Sequence, residues 1–183
     1  MSGTRWEMVA LTVHTLHDDI LGVVVPFALA SFQRTVLIID LDLDGIPLPG
    51  NRTLSRLVEE EPTLAELVPS RSGVAVLPHG GIDVASAAPV VAALVDSWPC
   101  VVIRARNPVP GIPFAEVAPL IPGVNTKASP RVWVRTGIAR VEPGPGPVVD
   151  GPGRTAIASV VARRAPAGRW LRSWAGVWRW PWL

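Results

Sequence analysis

The sequence predicts a small α/β protein in which helices flank a doubly wound, mainly parallel β-sheet. Up to Ile103, short apolar runs rich in β-branched residues alternate with segments of helical periodicity. Such alternation is typical of parallel strands joined by crossover helices. The 183 residues are 49% hydrophobic and only 17% charged, which allows a packed core and excludes a wholly disordered chain.

The first three elements form one strand–helix–strand unit. Met8 to His14 and Val36 to Leu41 are too short for helices and have the continuous apolar character of buried strands. Asp18 to Phe32 predicts the helix between them, and either of its first two residues, both aspartate, can cap its N-terminus. Pro26 lies inside this helix and predicts a kink or an early end.

A turn-rich loop, DLDGIPLPGNRT, separates this unit from the next elements. In LSRLVEEEPTLAELV, leucine and valine recur at helical spacing, and Thr63 with Glu66 resembles the capping box of a second short helix. Gly73 to Leu77 predicts a third strand. Ile82 to Ser97 predicts a helix that is broken or begins near Pro89.

Proline and glycine become frequent after a fourth predicted strand, Cys100 to Ile103. In this part, Arg131 to Thr136 alternates like an edge strand, and Thr155 to Arg164 predicts a short helix. The prolines and glycines favour turns elsewhere. We therefore expect a loop-rich extension to the sheet.

Composition and charge divide the chain. Residues 1–125 carry the α/β pattern, 126–165 form a Pro/Gly-rich extension, and 166–183 form a tail rich in Trp and Arg. Residues 1–130 contain 8 Lys+Arg against 13 Asp+Glu, whereas 131–183 contain 9 against 2. The two ends are therefore expected to meet different partners.

Two features limit the class of protein. The single cysteine, Cys100, excludes a disulfide framework and a multi-cysteine metal site, and its apolar surroundings predict an inert thiol. The apolar stretch from Gly22 to Phe32 is about half the ~20 residues needed to cross a bilayer, and it lacks the flanks of a signal peptide. We therefore expect a cytoplasmic protein.

Four runs, VLIIDLDLDG, LSRLVEEEPTLAELV, GVAVLPHG and WPCVVIRARNP, occur in this order within residues 7–125. Together they resemble the MinD/ParA superfamily of deviant P-loop ATPases, closest to its TadZ/CpaE-like or septum-site-like branch. In that family, the first strand leads into a glycine-rich loop with two lysines that hold the nucleotide phosphates. The resemblance therefore implies where a nucleotide pocket would lie.

The stretch that matches this loop, HTLHDDILG, has lost the phosphate-binding residues. It contains no lysine, and its only glycine, Gly22, comes too late to form the loop. Asp18 and Asp19 place carboxylates where a phosphate would meet the helix N-terminus. Unit charges ~4 Å apart repel by about 4 kcal/mol at an effective dielectric constant of about 20, so phosphate is disfavoured.

The family has acidic residues after two of its strands, and this sequence keeps them at the first position and lacks them at the second. Asp40 and Asp42 match the pair after the second strand, where a carboxylate helps to place magnesium or the attacking water. Arg104 stands where the family has an aspartate, and a guanidinium cannot ligate magnesium. The resemblance therefore implies a pseudo-ATPase without a bound cofactor. The residues of this vestigial pocket are His17, Asp18, Asp19, Asp40, Asp42 and Arg104.

A metal site is a second interpretation of the same region. Its donors would be three histidines and three aspartates, although their spacings match no recognised ligand pattern. These donors are His14, His17, His79, Asp18, Asp40 and Asp42. We favour the alternative, in which Arg104 or Arg106 pairs with the carboxylates at the C-terminal edge of the sheet and no metal is bound.

The tail RWLRSWAGVWRWPWL has the pattern of a basic amphipathic helix. Five of the eight tryptophans lie in the final 14 residues, and three of them recur every four residues. We expect a helix from about Arg169 to Trp178 that ends before Pro181 and exposes its tryptophan face. The expected contact residues are Arg169, Trp170, Leu171, Arg172, Trp174, Val177, Trp178 and Arg179.

Three partners suit such a tail. An anionic membrane surface is favoured by the indole rings and arginines, and MinD-like proteins also end in a short amphipathic membrane-targeting helix. Alternatively, the tryptophan face docks on a partner protein or on its own domain. Nucleic acid is the least favoured of the three partners, although arginines can contact phosphates.

The leading functional expectation is not enzymatic. The chain is expected to be a MinD/ParA-like scaffold, attached peripherally to the inner face of the cell membrane, that positions a cell-envelope, septum or pilus machine through a protein partner. Two alternatives are a weak ATPase whose missing lysine comes from a second chain, and a soluble protein-interaction subunit. A homodimer is compatible with each.

Overall fold

The computed structural model describes residues 10–16, 19–122, 130–137, 141–162, 164 and 166–182. Its strands are β1 Ala10–Thr15, β2 Thr35–Asp40, β3 Gly73–Leu77, β4 Val101–Arg104, β5 Phe114–Pro119, β6 Arg131–Arg135 and β7 Val148–Asp150. In the described part of the chain these seven strands form one sheet, in the order β3-β2-β4-β1-β5-β6-β7. Every neighbouring pair is parallel, which confirms the predicted fold class.

Helices cover both faces of the sheet. They are α1 Asp19–Ala30, α2 Leu54–Glu59, α3 Leu64–Leu67, α4 Val84–Ser97, α5 Arg154–Val161 and α6 Leu171–Trp174, followed by a 3-10 turn at Val177–Arg179. Side chains of successive strand residues point to opposite faces. Val36 and Ile38 accordingly pack in one core with α1, α5 and α6, whereas Leu37 and Ile39 pack in a second core with α2, α3 and α4.

Both internal prolines lie within continuous helices, so the predicted break near Pro89 and the alternative of an early end at Pro26 are wrong. Helix α1 runs beyond Pro26 to Ala30, and α4 begins before Pro89 and continues to Ser97. A proline removes one backbone hydrogen bond, but the burial of apolar side chains on both helices offsets that loss. The start of α4 is fixed by Asp83, whose carboxylate accepts the backbone N–H of Ser86 at 3.0 Å.

The proline-rich part of the chain extends the same sheet. Strand β6 pairs with β5 on one side and β7 on the other, so the predicted edge position is wrong. The indole of Trp133 is buried, and its Nε1 donates to the carbonyl of Pro145 at 3.2 Å. Strand β7 is only three residues long, too short for its apolar pattern to predict a partner for β6.

No helix among the described residues has the length and apolar character required to cross a membrane.

Candidate functional site

The candidate site lies where β2 and β4 end. Asp40 is the last residue of β2, Arg104 is the last residue of β4, and the two are direct partners in the parallel register. Neighbouring β1 ends at Thr15, close to the start of α1. The carboxyl ends of parallel strands lie at one edge of the sheet, where α/β proteins form their binding sites.

Arg104 is buried in this site and is only 4% exposed. Its Nη2 lies 3.0 Å from Oδ2 of Asp42, and its Nη1 lies 3.6 Å from Oδ2 of Asp40. Nη1 also donates to the backbone carbonyl of Ile46 at 2.7 Å. We expected Arg104 or Arg106 to pair with a carboxylate at this edge of the sheet, and the contacts of Arg104 with Asp40 and Asp42 confirm that expectation.

Arg106 forms the outer part of the same network. Its Nε donates to Oδ1 of Asp42 at 3.0 Å, and its Nη1 lies 2.9 Å from Oδ2 of Asp44. The side chain is 53% exposed, so water screens both ion pairs. Asp42 thus accepts hydrogen bonds from the buried guanidinium of Arg104 and from the half-exposed guanidinium of Arg106.

The turn-rich loop after β2 is held over the strand ends. Asp40 accepts the backbone N–H groups of Asp42 and Leu48, each at 3.2 Å, and Leu48 is buried against the core that contains α1. A Cβ atom at Gly45 would collide with Nη2 of Arg104, so only glycine leaves room for the guanidinium. Sequence reasoning missed Gly45 and Leu48; the glycine in DLDG was the available signal.

Burial and charge shift the pKa values of this site in different directions. Burial raises the pKa of Asp40 despite the opposing charge of Arg104. Burial also acts to raise the pKa of Asp42, but the hydrogen bonds and charges of Arg104 and Arg106 outweigh it and lower that pKa. Burial lowers the pKa of His14, which favours its neutral imidazole.

A pocket of about 270 Å³ opens beside this network. Its lining residues are His14, Thr15, Leu16, Gly22, Asp42, Gly45, Arg104 and Arg106. Gly22 lets α1 approach β1 closely, because a Cβ there would lie 3.0 Å from Oγ1 of Thr15. His17 and Asp18, which we assigned to the vestigial pocket, lie outside the described residues. Asp19 begins α1.

The residues of this pocket do not fit a magnesium–nucleotide complex. Asp40 and Asp42 already bind the guanidinium of Arg104, which occupies the place where a cation would need their oxygens. His79 also serves a local role, because its Nδ1 accepts the backbone N–H of Gly81 at 2.7 Å. Three donors of the alternative metal site, Asp40, Asp42 and His79, are therefore committed to protein contacts, whereas His14 lines the pocket.

The tryptophan tail is packed into the domain, so its predicted exposed face is wrong. Trp174 is 0% exposed and Trp178 is 6% exposed. Nε1 of Trp174 donates to the carbonyl of Asp150 at 3.0 Å, and Nε1 of Trp178 donates to the carbonyl of Leu29 at 3.2 Å. The indoles bury large apolar surfaces while satisfying their N–H groups, a more stable arrangement than exposure to water.

The tail is also less helical than predicted. It consists of the short helix α6, a turn and the 3-10 turn at Val177–Arg179 rather than one helix to Trp178. Trp170 and Leu171 pack partly against the core, and Val177 is fully buried. The bend lets indoles from both pieces reach the same core, while Arg169 and Arg172 stay exposed.

A larger cavity of about 400 Å³ lies between α4 and the loop after β4. Its walls include Val84, Ala88, Val91, Val109 and Ile112. These side chains are apolar, and Asp96 is the one ionisable residue of the described lining. A single carboxylate without a paired acid, base or nucleophile makes this cavity a weaker candidate for catalysis than the charged site.

We expect Cys100 to be unreactive in the folded protein. It is buried, and burial raises the pKa of its thiol to about 12, so only about one thiol in 10⁴ is ionised at pH ~8. Mass spectrometry after iodoacetamide treatment should show no adduct on the native protein and complete labelling in guanidinium chloride. Rapid labelling of the native protein would contradict this burial.

No model of a known protein family matches the chain, and the search of curated proteins also finds no match.

Proposed function

We propose that the chain is a MinD/ParA-like protein that has lost nucleotide hydrolysis and acts as a scaffold through protein contacts. The observation that carries this proposal is the buried guanidinium of Arg104, which pairs with Asp40 and Asp42. Lys127 is the only lysine in the sequence and lies far outside HTLHDDILG. A site without the phosphate-binding lysines and with an arginine in the metal position cannot perform the family's reaction.

The proposed process is the one that the resemblance implies, the positioning of an envelope, septum or pilus machine. The tail does not support the expected peripheral attachment to the inner face of the membrane, because Trp174 and Trp178 are internal. A scaffold that works through protein contacts needs no such anchor. The proposal therefore favours the protein-interaction subunit over the membrane-attached form.

Isothermal titration calorimetry tests the loss of nucleotide binding. We expect ATP with Mg²⁺ to show no binding tighter than about 100 μM, which corresponds to roughly −5.5 kcal/mol. The Arg104→Met variant should not gain binding, because the phosphate-binding loop and its lysines would still be missing. Tighter binding by the wild-type protein would overturn the proposal.

A separate measurement tests the ATPase alternative. If a second copy supplied the missing lysine, that residue would have to be Lys127, since the chain has no other. The rate of ATP hydrolysis per chain would then rise with protein concentration and fall to background in Lys127→Ala. We expect background hydrolysis at every concentration, with Lys127→Ala as the matched control.

A further inference from the structure

The layer of α1, α5 and α6 is rich in arginine. We define the basic layer as the described residues of 20–34 and 151–182, which contain six arginines and no aspartate or glutamate. Asp19, the first residue of α1, lies just outside these bounds. The opposite layer, residues 52–97, contains three arginines and six acidic residues. The charge difference seen along the sequence is therefore also a difference between the two faces of the sheet.

Five arginines of the basic layer are exposed and available. They are Arg34, Arg154, Arg164, Arg169 and Arg172. Within the described residues, none of them takes part in an ion pair. Asp150, at the edge of the layer, already pairs with Arg135 at 3.2 Å. No carboxylate of the described residues therefore compensates the charge of these five arginines.

Internal packing does not account for these arginines. Helix α5 buries Ala156 and Val160, and α6 buries Trp174, while the arginines lie on the exposed sides of the same segments. Arg154 is the first residue of α5, where a positive charge opposes the helix dipole. The position of Arg154 thus costs the fold some stability, and the uncompensated charge of the layer favours contact with an external anionic partner.

We propose that the basic layer binds an acidic segment of a partner protein, in which carboxylates are interspersed with apolar side chains; this inference rests on the proposed scaffold function. The charge of the layer complements carboxylates, and guanidinium groups bind them through paired hydrogen bonds. Ile20 and Phe32, at the two ends of α1, are the large apolar side chains exposed on the described part of this layer.

These observations favour a protein segment over other anions. A nucleic-acid backbone offers no apolar group for the exposed side chains of Ile20 and Phe32. A membrane would need a continuous apolar surface to insert, and the indoles of Trp174 and Trp178 are internal. A short acidic segment offers carboxylates to the arginines and apolar side chains to Ile20 and Phe32.

Fluorescence anisotropy tests the proposal with a labelled peptide that repeats the unit Glu-Glu-Leu-Glu. We expect binding that weakens by about tenfold or more between about 50 and 200 mM NaCl. The triple variant Arg154→Gln, Arg169→Gln, Arg172→Gln should weaken binding by about tenfold or more, because it removes three of the uncompensated charges. The corresponding lysine triple should bind more tightly than the glutamine triple but more weakly than the wild-type protein, because lysine keeps the charge and loses the paired hydrogen bonds.

A second triple variant provides the matched control. Arg52→Gln, Arg56→Gln, Arg71→Gln removes the same charge from the opposite layer and should change the affinity by less than about twofold. Circular dichroism melts should show that both triples fold, because all six side chains are exposed. Absent peptide binding, equal binding of a Gln-Gln-Leu-Gln peptide, or equal losses in both triples would overturn the proposal.

Two further probes separate the classes of partner. Tighter binding to a short DNA duplex, or to vesicles containing phosphatidylglycerol, than to the acidic peptide would overturn the proposal in favour of that class. If the peptide failed to bind, the basic-layer proposal would fall, and the nucleotide titration would still test the proposed function by itself. Conversely, tight ATP binding would remove the scaffold function even if the peptide bound.

Discussion

Replacing Trp174 with alanine is expected to lower the free energy of unfolding by about 3–5 kcal/mol. The side chain is fully buried, its ring packs edge to face on Trp170 at a centroid distance of 6.2 Å, and its Nε1 bonds to Asp150. Alanine would leave a cavity in the core and an unpaired carbonyl. Because small domains are stable by only about 5–15 kcal/mol, this loss is large. Urea denaturation followed by circular dichroism measures it.

Trp180→Ala is the matched control in the same tail. Trp180 is only partly buried and packs on Trp182 at a centroid distance of 6.3 Å, so its loss should cost about 1 kcal/mol or less. Removal of residues 169–183 should have a larger effect than either substitution, since it deletes Trp174, Val177 and Trp178 together. A truncated protein with unchanged stability would contradict the docked tail and restore an exposed amphipathic helix.

Replacing Arg104 with methionine should also cost about 3–5 kcal/mol, the usual loss when one partner of a buried ion pair is removed. Asp40 would remain buried as a carboxylate with no guanidinium beside it, and the loop carbonyl of Ile46 would lose its donor. Arg106→Met should cost no more than about 1 kcal/mol, because that side chain is half-exposed. Thermal and urea unfolding of the two variants measure the contrast.

The loss in Arg104→Met should depend on pH. Burial raises the pKa of Asp40, so the folded protein binds a proton there more tightly than the unfolded chain does. Without Arg104 this difference grows, and the stability deficit should shrink as the pH falls through the raised pKa of Asp40, which lies above the ordinary aspartate value of about 3.9. The double variant Arg104→Met, Asp40→Asn should recover part of the loss at neutral pH. A deficit that is constant with pH would show that lost packing, not unpaired charge, causes it.

The parallel sheet could be predicted because its first four strands are short apolar runs separated by helical segments. Thr35–Asp40 and Gly73–Leu77 lie close to their predicted limits because both strands are bounded by turns or polar residues. The ion pairs of Arg104 were also predictable, since parallel strands bring Asp40 and Arg104 to one edge. The local sequence does not show that the loop with Gly45 and Leu48 folds back over these charges. That fold depends on the hydrogen bond from the backbone N–H of Leu48 to Asp40 and on the close approach of Gly45 to Arg104.

The sequence by itself determined the α/β class and predicted that Arg104 or Arg106 meets a carboxylate at the strand ends, and the structure decided which residues pair. The sequence also determined that the tail is amphipathic, but the same pattern of Trp170, Trp174 and Trp178 suits a membrane, a partner or the domain's own core. Only the tertiary structure decided among these, because the core beside α1 accepts Trp174 and Trp178 and supplies the carbonyls of Asp150 and Leu29. Periodicity specifies which face of a segment is apolar, whereas the surface that buries it is assembled from residues distant in sequence.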